Sequence, residues 1–342
     1  MRRLAAIVCV AVCAGCTSDR APAPVTTVPH DRTAMSPATS QPASTTRAAR
    51  SSSVVPSRKP PSAAAEPSVP IPANADNPAV VPAIANDRST LGRQLVAAEH
   101  TIRARAASST QLLAAARTAQ VAYHRVALHP RWDATVIALV PKSLRATVRA
   151  NLRARRELAA IRTPAPKGLL LAWRIQAPAP ARELLAWYHR AARRFDVGWQ
   201  YLCAINLIET TFGKIHGLSI SGAQGPMQFL PQTWAEFGGG GDVNNPHDAI
   251  FAAARYLAAR GFARGDVNGA LYAYNPTIHY ANAVKAVASV LRAHPRSFVG
   301  YYRWDVYYPT SAGVLLLPRG FNEPRRTSAA AYARTHPRRV LR

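Results

Sequence analysis

Thirteen of the 28 prolines fall between residues 17 and 88, in a stretch otherwise dominated by serine, threonine and alanine. Each proline fixes its own φ and removes a backbone donor, so this density breaks both helices and strand ladders. Neither a helical nor a strand repeat runs through these residues. Residues 17–88 are therefore expected to form a disordered tether, and a packed core has to come from the chain beyond them.

The residues before the tether read MRRLAAIVCVAVCAGC. Arg2 and Arg3 precede an apolar run, Leu4 to Val12, that is too short to cross a bilayer. Residues 1–16 thus have the form of an export signal. Ala14-Gly15 directly before Cys16 resembles a lipobox, in which the cysteine is lipidated and becomes the mature N-terminus. Cys13 stands where Leu is usual, so plain secretion with cleavage nearby remains the alternative. With Cys9 and Cys13 in the signal and Cys16 lipidated, Cys203 is left alone, and that form has no internal disulfide. Its setting, Tyr201-Leu202-Cys203-Ala204-Ile205, points to a buried structural thiol. The formal charge of +26 favours polyanionic partners. Alanine and arginine are abundant throughout, however, which makes charge a weak guide to any one of them.

From Ser89 the pattern becomes helical. Leu91, Leu95, Ala98 and Ile102 share one face, and after a break at Ser108-Ser109 so do Leu112, Leu113, Ala116 and Tyr123. A third run carries Leu144, Val148, Leu152, Leu158 and Ile161 between Pro141 and Thr163-Pro164. Residues 89–163 are expected to form a helical module with arginine-rich outer faces. Those faces are either solvated sides of a spacer or a surface that binds a partner. Pro178 and Pro180 precede a dense helical region, 178–296. Residues 297–320 then turn aromatic and β-branched around Pro309-Thr310-Ser311-Ala312-Gly313, which reads as a hairpin. Tyr301, Tyr302, Trp304, Tyr307 and Tyr308 could stack on a ligand there or pack the hairpin onto the helices. The basic tail, 321–342, is expected to be loose.

Three segments carry chemistry. In Leu202–Phe212, LCAINLIETTF, Glu209 interrupts an apolar helix close to its C-terminal end. Apolar surroundings and the negative end of the helix dipole both disfavour a carboxylate, so its pKa should rise, as a general acid requires. In Ser221–Pro231, SGAQGPMQFLP, glycines permit close approach and Gln228 offers both a donor and an acceptor. A short helix begun by Asp266 ends in Tyr274-Asn275-Pro276, with Tyr280 on the next helix. Tyrosine supplies a stacking face and a phenol.

In this order and spacing the three segments resemble the soluble lytic transglycosylase domain of the goose-type lysozyme superfamily. The family pattern is a helix-end Glu followed by Ser, then Gly-x-x-Gly-x-Met-Gln-x-x-Pro, then Tyr-Asn. Glu209-Thr210 keeps a hydroxyl where Ser is usual. Gly222 to Pro231 fits the second motif, with Pro226 where Leu or Tyr is commoner, and Tyr274-Asn275 fits the third. The likeness covers about Leu184 to His294. It implies a mainly α, lysozyme-like helical domain with a small C-terminal β-hairpin, preceded by the helical module and the disordered linker.

The resemblance further implies cleavage of peptidoglycan glycan strands by Glu209 as a single acid/base, giving a 1,6-anhydromuramyl product. Thr210, Gly225, Met227, Gln228, Phe229, Tyr274, Asn275 and Tyr280 would bind the substrate. The alternatives are a lysozyme-type hydrolase of the same bond and a non-catalytic wall-binding lipoprotein. Expected partners are the glycan strands, the membrane through lipid on Cys16, and anionic wall polymers; nucleic acid is not expected. The chain is expected to be exported to the outer face of a bacterial membrane or to the cell wall. No cofactor is implied. Asp242-Val243-Asn244 starts like a calcium loop, but His247 and Ala253 stand where that loop needs Gly and Glu, so no metal site is expected.

Overall fold

Caps and prolines mark where most of the helices begin in the computed structural model, which describes residues 70–161 and 168–341. The export signal, Cys16 and the tether as far as residue 69 lie outside the described residues. Asp87 accepts from the Ser89 and Thr90 amides and opens α1 (Arg88–Arg103). Ser108 forms a capping box with Gln111 at the start of α2 (Ser109–Leu128), at the predicted break. A short α3 (Asp133–Leu139) precedes α4 (Lys142–Ala160), whose first turn follows Pro141. Sequence periodicity passed over α3 because seven residues are too few to show a repeat.

Two short strands follow, β1 (Leu169–Leu170) and β2 (Arg174–Ile175). Then come α5 (Ala181–Phe195) and α6 (Trp199–Thr210), closed respectively by Asp196 and Thr211 in the left-handed region. β3 (Ile215–His216) pairs with β2. α7 (Pro231–Phe237) has proline at its first position, where the missing N–H matters least. α8 (Pro246–Ala259), α9 (Val267–Tyr274) and α10 (Ile278–Ala293) are capped by the side chains of Asn245, Asp266 and Thr277. After α11 (Ser297–Tyr302), β4 (Val306–Thr310) and β5 (Gly313–Leu317) form the hairpin. The described chain ends with β6 (Thr327–Ser328), α12 (Ala329–Thr335) and β7 (Val340–Leu341).

One hydrophobic core joins elements that the sequence suggested were separate. Leu91 and Leu95 of α1, Tyr123 of α2, Val148 and Leu152 of α4, Leu202 and Ile205 of α6, and Val284 and Leu291 of α10 belong to the same buried cluster. The apolar stripe of α4 packs along α10 with Arg149 and Arg153 exposed and Arg155 turned inward over the Trp304 ring, so the N-terminal helices and the segment 178–296 share an interior. A second, smaller core gathers Leu170, Trp173, Ile215, Leu315, Phe321 and Tyr332 beneath the strands.

Three boundaries differ from expectation. Residues 70–87 are not part of a loose tether: Arg117, fully buried in α2, donates from Nη1 to the Ala75 carbonyl and from Nη2 to the Val80 carbonyl, each at 2.6 Å. Its Nε reaches Asp305 Oδ2 at 2.6 Å, so one guanidinium ties this segment to the residue preceding β4. Residues 297–302 are helix rather than hairpin, and Tyr301, Trp304, Tyr307 and Tyr308 are buried, so these aromatics pack the core. The tail is also folded. β6 pairs with β1, β7 adds a third strand to the hairpin, and Tyr332 Oη donates to the Leu316 carbonyl. The basic residues around Tyr332 and Val340-Leu341 hid these few apolar anchors in the sequence.

Replacing Arg117 leaves Asp305 and two carbonyls without their partner in a buried place. Arg117→Met is expected to lose about 3–5 kcal/mol of stability in urea unfolding, and adding Asp305→Asn should recover part of it. A loss under about 1 kcal/mol would show that the guanidinium does not hold these segments together.

Candidate active site

Glu209 lies in the last turn of α6, and its burial has a clear local cause. Leu202, Ile205 and Ile208 turn one face of the helix into the core, Leu207 adds to it, and Glu209 follows them in at 3% exposure. Burial raises its pKa to about 8 from an ordinary 4.5, against the opposing effect of a hydrogen bond from Tyr280. No charged neighbour contributes to that shift among the described residues. Tyr280 Oη donates to Glu209 Oε1 at 2.6 Å, whereas Oε2 has no hydrogen-bond partner. An acid held by one oxygen and unpaired at the other has a defined place for its proton.

The glycine-bearing loop is locked to the same helix. Thr210 Oγ1 donates to the Pro226 carbonyl at 2.6 Å and accepts from the Gly213 amide at 2.9 Å. Asn206 Nδ2 donates to the same Pro226 carbonyl at 2.8 Å, and Tyr188 Oη donates to Asn206 Oδ1 at 2.6 Å. Thr210 is therefore a fastening for the loop and not a substrate contact: it is wholly buried and its hydroxyl is engaged within the protein. Asn206 and Tyr188 were missed in the sequence. The available signal was a polar residue at Asn206, one turn before Thr210, in an otherwise apolar helix.

Other expected substrate contacts take different parts. Gly225 has φ +74°, and a Cβ there would lie 1.9 Å from the Val243 carbonyl oxygen, so the glycine lets the loop press against its neighbour. Met227 is fully buried and Phe229 is 3% exposed, which makes both of them core residues. Tyr280 is fully buried and its phenol is engaged by Glu209.

Gln228, Tyr274 and Asn275 remain as groups with polar atoms to offer a ligand, Gln228 and Asn275 from buried positions like that of Glu209. Gln228 folds back, Nε2 donating to the Gly225 carbonyl at 3.0 Å. Tyr274 is partly exposed; its Oη donates to the Met227 carbonyl at 2.6 Å and its ring lies parallel to that of Tyr280, with centroids 6.2 Å apart. Asn275 Oδ1 is buried without a partner, like Glu209 Oε2. The contacts thus run continuously from Glu209 through Tyr280 and Tyr274 to the Met227 backbone, joining all three segments singled out in the sequence.

Of the other acids in this part of the chain, Asp196, Glu236, Asp242 and Asp248, the last two are engaged within one loop. Asp248 Oδ2 accepts from the Asp242 amide, its Oδ1 lies 2.9 Å from His247 Nδ1, and Asp242 Oδ1 accepts from the Asn244 amide. Cys203 is fully buried, and burial pushes its thiol pKa up, as expected of a structural cysteine. Among the described residues no three His, Cys, Asp or Glu side chains converge as a metal set would.

Residues 187–287 match the family model of the transglycosylase SLT domain. The match runs from α5 into α10 and takes in Glu209, the 222–231 loop, Tyr274-Asn275 and Tyr280. The mainly helical architecture with small C-terminal strands agrees with the lysozyme-like fold that the sequence implied. Searches of curated proteins and of solved structures return no match.

A buried carboxyl with a raised pKa leaves a thermodynamic trace. Between pH 4.5 and about 8 the folded state holds a proton on Glu209 that the unfolded chain has released, so this group's contribution to stability falls across that window and is level above it. Glu209→Gln removes the effect. The variant is expected to be more stable than the parent by on the order of a few kcal/mol at pH 8.5 and by little at pH 4.5. A stability difference that does not change with pH would contradict the assignment.

Proposed function

We propose that the SLT domain of this chain cleaves the β-1,4 bond between N-acetylmuramyl and N-acetylglucosaminyl residues of peptidoglycan. The product is a 1,6-anhydromuramyl end, and Glu209 is the only acid and base. One observation carries the reading: a carboxyl whose pKa burial raises to about 8, held at Oε1 by Tyr280 and unpaired at Oε2. At neutral pH that group is protonated. Because Oε1 accepts from Tyr280, the proton sits on Oε2.

The proton passes from Oε2 to the glycosidic oxygen as the muramyl C1–O bond breaks, and the departing glucosaminyl residue leaves with a hydroxyl. The carboxylate then takes the proton of the C6 hydroxyl on the same muramyl residue while O6 bonds to C1. No water enters, and Glu209 ends protonated as it began. Glycoside hydrolases usually set a second carboxylate across the bond. Asp242 and Asp248 are engaged in their own loop, which favours the one-carboxylate route. Substrate positioning must then supply much of the rate, with Gln228, Tyr274 and Asn275 as the groups facing the N-acetyl sugars. An export signal over residues 1–16 and a lipid on Cys16 would bring the domain to its substrate outside the membrane.

Mass spectrometry of peptidoglycan digested by the full chain is expected to show anhydromuramyl ends, with Glu209→Gln about 10³-fold slower or worse. Reducing ends in their place would assign a hydrolase, and no released muropeptide would remove the enzymatic reading. Activity should fall as pH rises through about 8, where the acid loses its proton. Tyr280→Phe removes a bond that favours the carboxylate, so it should move that alkaline limb to higher pH; a downward move would contradict the role given to Tyr280.

A further inference from the structure

Outside the SLT match, between α3 and α4, the fold holds an open groove of about 940 Å³ with an arginine row along one wall. Arg145, Arg149, Arg153 and Arg156 recur at helical spacing on α4, and Asp133 and Glu157 share the lining. Ile137 of α3 and Leu152 of α4 add apolar surface.

The two acids do not neutralise the row evenly. Arg156 is spent on Asp133 through two bonds of 2.7 Å. Glu157 accepts from His279 Nδ1 at 2.8 Å and from Asn282 Nδ2 at 3.2 Å, with Arg153 Nε at 3.5 Å. Arg145 commits only Nε, to the Val140 carbonyl at 2.9 Å. Arg149 is exposed and has no hydrogen-bond or ion-pair partner among the described residues. The cationic capacity of the groove is thus concentrated at Arg145 and Arg149, and its anionic end is Glu157, about 12 Å along the helix from Arg149.

We infer that this groove is a second binding site, for the carboxylate-bearing peptide of the same peptidoglycan strand, with Arg145 and Arg149 taking a terminal carboxylate. The inference rests on the wall-cleaving reading for the identity of the strand. Guanidinium forks match carboxylates, the apolar walls suit alanine methyls, and Glu157 offers a partner for an amine further along the peptide. A polyphosphate fits less well, because Asp133 and Glu157 would repel a continuous row of negative charge.

The position of the groove supports the same ligand. α10 packs against both α4 and α6: His279 and Asn282 reach Glu157, while Tyr280 beside them holds Glu209.

The test is calorimetric titration of the full chain carrying Glu209→Gln with the free wall tetrapeptide L-Ala-γ-D-Glu-diaminopimelate-D-Ala. Measurable binding is expected, weakened at least tenfold by Arg145→Gln with Arg149→Gln, by Arg149→Glu alone, and by amidation of the peptide's C-terminal carboxyl. Arg149 is on the surface, so its variant keeps the test independent of folding. Absence of binding up to millimolar peptide, equal binding by the variants, or binding of polyphosphate without the peptide would each overturn the proposal. Because no turnover is measured, an inactive parent enzyme would count against the glycan-cleaving reading and leave this result standing.

Discussion

The hydrogen bond from Tyr280 to Glu209 joins two helices at the point where an acid is buried. Without a partner the carboxyl would meet the full penalty of its apolar surroundings; with a cationic partner it would ionise and lose its proton at neutral pH. A neutral phenol does neither. It holds one oxygen in place and leaves the group protonated, so the packing of α10 on α6 is also what sets the acid's chemistry. The loop that completes the site depends on the same helix, through Asn206 and Thr210 on the Pro226 carbonyl.

That arrangement requires α10 to be well fixed, and the N-terminal helices supply part of the fixing. α4 packs along α10, α2 packs on α4, and α1 packs on α2 within the same core. The segment that the family model matches is therefore supported by residues outside it. Arg117 extends the support to the N-terminal segment and the start of the hairpin through three short bonds.

Glu209 was legible because an acid in an apolar helical run is conspicuous, and the helix starts at Asp87 and Ser108 were legible because caps act locally. What stayed hidden depends on contacts distant in sequence. Tyr280 is a core tyrosine by pattern, and only the approach of α10 to α6 turns it into the partner of Glu209. Met227 and Phe229 in the loop and Thr210 at the end of α6 sit in motifs that suggest ligand contact, yet all three are turned inward. Residues 70–87 and the tail look loose because each contributes a few carbonyls or apolar anchors, which acquire meaning only against Arg117 and the strand β5. The shared core was also illegible, since an amphipathic helix does not declare which neighbour its apolar stripe will meet.

The central claim is that Glu209 is a neutral acid in the folded protein at physiological pH. Titration of its side-chain carboxyl carbon by NMR, assigned by comparison with Glu209→Gln, measures this without substrate. The expected midpoint is about 8, moving upward in Tyr280→Phe. A midpoint near the ordinary value of 4.5 would contradict the claim and leave the proton donor unassigned.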